Sequence, residues 1–160
     1  MKCNINRSLA RGYLVLAAFA LSIGNVVAQD ARSVVGTYAV VSSPPFGANP
    51  LGQMMLGRDG HYSLILSRAA LPKIAAGARD KGTAEEDQAI VGGSIGHFGK
   101  YSVDSKDKTI TFNIEVSTYP NWNGATFKRP LKVSGDELTY TNTAPSNGGA
   151  ANDVVWKRVK

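Results

Sequence analysis

Between Thr109 and Thr118 the chain alternates strictly, with Ile110, Phe112, Ile114 and Val116 set against Thr111, Asn113, Glu115 and Ser117. A period of two places one set on each face of a β-strand. Seven other short segments are rich in valine, isoleucine, threonine and aromatic residues: Ser33–Ser42, Leu51–Leu56, His61–Ser67, Ile95–Val103, Ala125–Val133, Glu137–Thr143 and Ala151–Val159. Each reads as a strand, and punctuating residues separate them. Gly57-Arg58-Asp59-Gly60, Asp104–Lys108 and Gly135-Asp136 are turns, whereas Ser43–Pro50, Tyr119–Gly124 and Ser146–Ala151 are loops. Gly36 interrupts the first strand and marks a bulge or a close approach.

One segment has a different pattern. Thr83 precedes Ala84, Glu85, Glu86 and Asp87, so Thr83 and Glu86 have the spacing of a capping box. The three acids crowd a first turn, where helix polarity favours them. Gly92-Gly93 supplies a stop, and the spacing predicts a helix over Thr83–Val91. The fold class is therefore all-β, with about eight antiparallel strands and one short inserted helix. An up-and-down barrel in which the last strand pairs with the first removes every exposed edge, and a two-sheet sandwich is its rival. Short strands and charged turns argue against an outer-membrane barrel.

The first 28 residues stand apart. Lys2, Arg7 and Arg11 precede an apolar run from Tyr13 to Ile23, and Val26 and Ala28 are small residues before a cleavage point. This is the pattern of a secretory signal peptide, and the run is short for a transmembrane helix. Residues 1–28 are thus expected to be removed, leaving residues 29–160 as a single domain with no transmembrane segment. Of the 18 basic and 12 acidic residues, three basic ones lie in that leader, so the formal charge of +6 falls to +3. Cys3, the one cysteine, leaves as well, and the domain is held by its core without disulfides. A bacterial periplasmic or secreted location suits such a chain. The residual charge is dispersed, with Lys128-Arg129 and Lys157-Arg158 as the tight pairs, and a nucleic-acid partner is not expected.

No pattern announces chemistry. His61 and His97 are far apart and lack ligand spacing, so neither a metal nor any other cofactor is expected. The glycines do not form a phosphate-binding fingerprint, and no catalytic residues are assigned. The aromatic residues, spread over nearly every strand, fill a barrel or line a cavity within it. The residues expected to meet a ligand are Met54, Tyr62, Phe98, Tyr101, Phe112, Glu115, Trp122 and Arg129. Glu115 and Arg129 are the candidate polar anchors, with a cross-strand ion pair or a solvent-facing pair as the structural alternative. Trp122, between Pro120 and Gly124, is suited to cap a barrel end.

Several segments taken together resemble the bacterial lipocalin-like domain family. Val35-Gly36-Thr37-Tyr38 is similar to its opening strand, and His97-Phe98-Gly99-Lys100-Tyr101-Ser102-Val103-Asp104 to a middle strand. Glu115–Gly124, with its Pro120-Asn121-Trp122-Asn123-Gly124 core, is the most distinctive match, followed by the basic position at Arg129. Gly135-Asp136-Glu137-Leu138-Thr139 and Trp156-Lys157-Arg158-Val159 complete it. The resemblance implies a lipocalin-like calyx with an internal cavity for a small hydrophobic or amphipathic molecule. Members often carry a histidine pair just before the glutamate; here Phe112 and Asn113 take those positions, which makes that part of a cavity more apolar. Two other functions fit the same sequence. One is a cofactor-independent isomerase or cyclase using a buried Glu115, His97 or His61. The other is a protein-interaction or inhibitor module using the Pro44–Pro50 and Ser146–Ala151 loops.

Overall fold

The computed structural model of the chain describes residues 31–160, and the expected leader at 1–28 lies outside the described residues. Eight strands follow in order: β1 (Gly36–Ser42), β2 (Leu51–Leu56), β3 (His61–Ser67), β4 (Ser94–Asp104), β5 (Thr109–Ser117), β6 (Thr126–Ser134), β7 (Glu137–Asn142) and β8 (Asn152–Arg158). Each pairs antiparallel with the next, and β8 returns to β1 through Tyr38↔Arg158, Ala39↔Lys157 and Val40↔Trp156. That last pairing closes the barrel and excludes the sandwich. No helix among the described residues is long and apolar enough to cross a membrane.

Up-and-down connection sends alternate loops to alternate ends. Three tight turns, at 57–60, 105–108 and 135–136, close one end. The four longer connections, at 43–50, 68–93, 118–125 and 143–151, all gather at the other. The third strand gives way to the fourth through the inserted helix, α1 (Ala84–Gly93). Its capping box is complete: Glu86 N donates to Thr83 Oγ1 at 3.3 Å, and Thr83 N donates to Glu86 Oε2 at 2.9 Å. The helix runs through Gly92 and Gly93 rather than stopping before them. It passes directly into β4, whose Ser94 hydroxyl donates to Ile90 O at 2.7 Å. Arg68 N donating to Gly93 O pins the two ends of the insertion together.

The tight-turn end is packed solid. Tyr38, Leu56, Ile110, Leu138 and Trp156 are wholly or almost wholly buried there, and a 3-10 turn, Ala31–Val34, lies beneath them. Arg158 holds that turn in place. Its Nη2 donates to Ser33 O at 2.7 Å and to the Tyr38 hydroxyl at 2.6 Å, and its Nη1 donates to Val35 O. The guanidinium also lies 4.8 Å from the Tyr38 ring centre. A Cβ at Gly36 would overlap that guanidinium, so the expected close approach is real. Replacing Arg158 by Met removes three charge-assisted hydrogen bonds and a cation–π contact; with much of that loss offset by solvation, about 2 kcal/mol of stability should go. Urea denaturation measures it, and an unchanged midpoint would mean that the 3-10 turn adds nothing.

The strands alternate as expected, with one informative break. On β5, Ile110, Phe112 and Ile114 point inward, but Val116 faces solvent and Ser117 is buried. The cause is a bulge: Phe98 pairs with Val116 and Gly99 with Ile114, leaving Glu115 extra. One inserted residue moves everything after it to the other face. The expectation that Val116 lies on the core face is therefore corrected.

Candidate functional site

The open end of the barrel contains a cavity of about 420 Å³. Its walls include Phe46 from the 43–50 loop, Ile90 and Val91 from α1, Ile95 from β4, Tyr119 from the 118–125 loop and Ser146 from the last loop. Arg68 stands at the rim. The size falls within the range of small-molecule sites. Below it, sharing Pro45, Phe46, Ile95 and Ser146, a chamber of about 30 Å³ reaches down to His97, Trp122, Arg129, Tyr140 and Asn142.

Arg129 dominates the chamber. On β6 the inward positions are Phe127, Arg129, Leu131 and Val133, so strict alternation carries a guanidinium into the core. It is 2% exposed. Four rings surround its Cζ: Tyr140 at 5.1 Å, Phe127 at 5.2 Å, Phe112 at 5.7 Å and Trp122 at 5.9 Å. These faces compensate part of the lost hydration. No carboxylate among the described residues pairs with it, and its Nε and Nη2 have no hydrogen-bond partner among protein groups. The neighbouring Asn142 Oδ1 is buried and unpartnered as well.

His97 lies beside this cation. Its Nδ1 is 2.9 Å from the Tyr62 hydroxyl, and its ring packs edge-on to Tyr62 and Trp122 at 5.5 and 5.8 Å. Burial, and secondarily the Arg129 charge, push its pKa down to about 3, so it is neutral at ordinary pH. In the neutral ring one nitrogen carries the proton, and the Tyr62 hydroxyl takes the complementary role at Nδ1. Burial raises the pKa of Tyr62 and Tyr140, with Arg129 opposing the rise in each. Both phenols stay protonated.

Trp122 owes its position to the loop that presents it. The bulge turns Ser117 inward, where Ser117 N donates to Asn123 Oδ1 at 2.8 Å and Tyr119 N to Ser117 Oγ at 3.0 Å. Pro120–Trp122 forms a 3-10 turn, and Trp122 packs against Tyr119 and Phe127 as well as His97. The aromatic ring therefore closes one side of the chamber.

The eight residues expected at a ligand site divide accordingly. Arg129 and Trp122 line the chamber, while Tyr62 and Phe112 lie against its lining residues. Met54 is fully buried core and Tyr101 belongs to the tight-turn end, where its hydroxyl donates to Gly57 O at 2.8 Å. Phe98 and Glu115 are corrected: both lie on the outer surface, Phe98 about half exposed in a row with Met55 and Val116. The postulated Glu115–Arg129 ion pair is therefore not formed. Tyr140 and Asn142 are not among the expected ligand residues, and His97 is expected in the cavity only under the isomerase or cyclase reading. His97 shares its parity with Ile95 and Tyr101, so its inward position was readable from the sequence.

No curated protein matches the sequence. The family model described as the lipocalin-like domain matches residues 28–159, which include every strand of the barrel. On that match, together with the closed eight-stranded antiparallel barrel, the chain belongs to the lipocalin-like domain family.

Proposed function

We propose that this protein is an exported binder of a small hydrophobic or amphipathic molecule, taken in through the open end of the barrel. The observation that carries the reading is the cavity of about 420 Å³ at that end, walled by Phe46, Ile90, Ile95 and Tyr119. Such a lining gains from burying apolar ligand surface, roughly 25 cal/mol per Å² before the costs of association. Export rests on the basic start and apolar run of residues 1–28. Binding is favoured over turnover by the state of the titratable groups: Glu115 and His61 are exposed, and a histidine with a pKa near 3 is a weak base.

The neutral fluorescent probe N-phenyl-1-naphthylamine tests the reading. One saturable equivalent should bind, and Ser146→Trp, which fills the neck shared by cavity and chamber, should weaken binding about tenfold or more while the circular dichroism stays unchanged. Absence of saturable binding, or binding indifferent to Ser146→Trp, would refute a ligand site in the open end.

A further inference from the structure

We infer that the ligand carries a carboxylate, which descends into the inner chamber and pairs with Arg129 while its apolar part occupies the outer cavity. The inference rests on the binding function proposed above and names the chemistry of the ligand's head. A guanidinium withdrawn from water is costly unless it is paired and hydrogen-bonded. Here aromatic faces surround it, but two of its N–H groups, on Nε and Nη2, find no acceptor in the protein. Those two groups lie on one edge of the guanidinium, the edge that a carboxylate meets with two parallel hydrogen bonds.

The remaining surroundings favour an anion. Among the described residues, no acidic side chain lines the chamber. His97 is neutral, held so mainly by burial, and brings no negative charge to the chamber. Asn142 adds a neutral amide to the lining and no negative charge. A neutral polar head would leave the Arg129 charge buried and uncompensated. The chamber volume of about 30 Å³ restricts the head to a few atoms, while the 420 Å³ space above accepts the bulk of the molecule. The two spaces share Ile95, Phe46 and Ser146, so a chain passing between them crosses an apolar neck.

Matched probes of one chain length test this with the purified protein: decanoate and decanol, each displacing N-phenyl-1-naphthylamine. Wild-type protein should prefer decanoate by about tenfold or more, the scale of a hydrogen-bonded charge pair. Arg129→Met should abolish that preference while retaining decanol binding, and Arg129→Lys should restore part of it, since lysine keeps the charge but not the two-pronged geometry. Equal affinity for acid and alcohol in the wild type would overturn the Arg129 assignment and leave the cavity reading intact. A preference that survives in Arg129→Met would overturn it too, and would move the anion to another cation such as Arg68 at the rim. If neither probe displaces a saturably bound dye, the carboxylate assignment fails; if the dye does not bind saturably at all, the cavity reading fails. The wild-type comparison requires no variant, so a misfolded Arg129→Met protein does not rescue the proposal.

Discussion

Gly99→Ala is expected to destabilise the protein by roughly 3–4 kcal/mol, a large share of the 5–15 kcal/mol that holds a typical domain together. A Cβ at position 99 would run into the carbonyl oxygen of Asn113 and lie 2.8 Å from the backbone N of Glu115. Those atoms belong to the facing strand at its bulge, so no rotamer change relieves the overlap. The strands must separate, breaking the pairing of Gly99 with Ile114. The damage then spreads upward, because the bulge sets which way Ser117 points and Ser117 anchors the loop that carries Trp122. Urea unfolding followed by circular dichroism measures the loss. Gly92→Ala is the comparison: its Cβ would meet nothing within 4 Å on α1, and better helix propensity should raise stability by up to about 1 kcal/mol. A Gly99→Ala protein within 1 kcal/mol of the wild type would show that the bulge is not sterically locked.

The contrast between the two glycines bears on what a sequence can reveal. Alternation and turn residues located every strand to within a few residues, because both are local signals. Closure of the barrel, the favoured reading over a sandwich, rests on no local signal, since it depends on Tyr38 meeting Arg158 across the whole chain. The bulge was invisible for a related reason. Nothing in Ile114-Glu115-Val116 marks one residue as extra; the mark lies on the facing strand, at Gly99. Hence Val116 was assigned to the wrong face, whereas the alternation itself already set Glu115 opposite Phe112 and Ile114, on the outer side. Phe98 is different: its parity against Ile95, His97 and Tyr101 already placed it outside, and aromatic content was given too much weight. The hollow end was also readable once a barrel was assumed. An up-and-down chain sends loops one, three, five and seven to the same end, and those are the long ones. Which groups stay unpaired inside, however, depends on how four rings from three strands and a loop settle around Arg129.

Lowering the pH from 6.5 should destabilise the protein steeply through His97. Its folded-state pKa is about 3, while the unfolded chain takes up the same proton near the ordinary value of 6.5. Between those values the unfolded state binds more protons than the native one, so stability rises with pH and is lost as pH falls through the window. The limiting slope is about 1.4 kcal/mol per pH unit, and the whole window is worth roughly 5 kcal/mol. Asp59, Glu85, Glu86 and Asp104 also have lowered pKa values and act in the same direction, but at lower pH. Unfolding free energies from urea titrations between pH 7 and 5 avoid those carboxylates, and comparison with His97→Gln separates His97 from His61. His97→Gln keeps a polar partner for Tyr62 and cannot titrate, so its stability should be nearly flat where the wild type slopes. Parallel curves for the two proteins would show that His97 is not held neutral by its surroundings. Burial is the main cause of the low value and the Arg129 charge the second. A carboxylate seated against Arg129 cancels part of that second contribution, which raises the folded-state pKa and narrows the window of loss from its acid end.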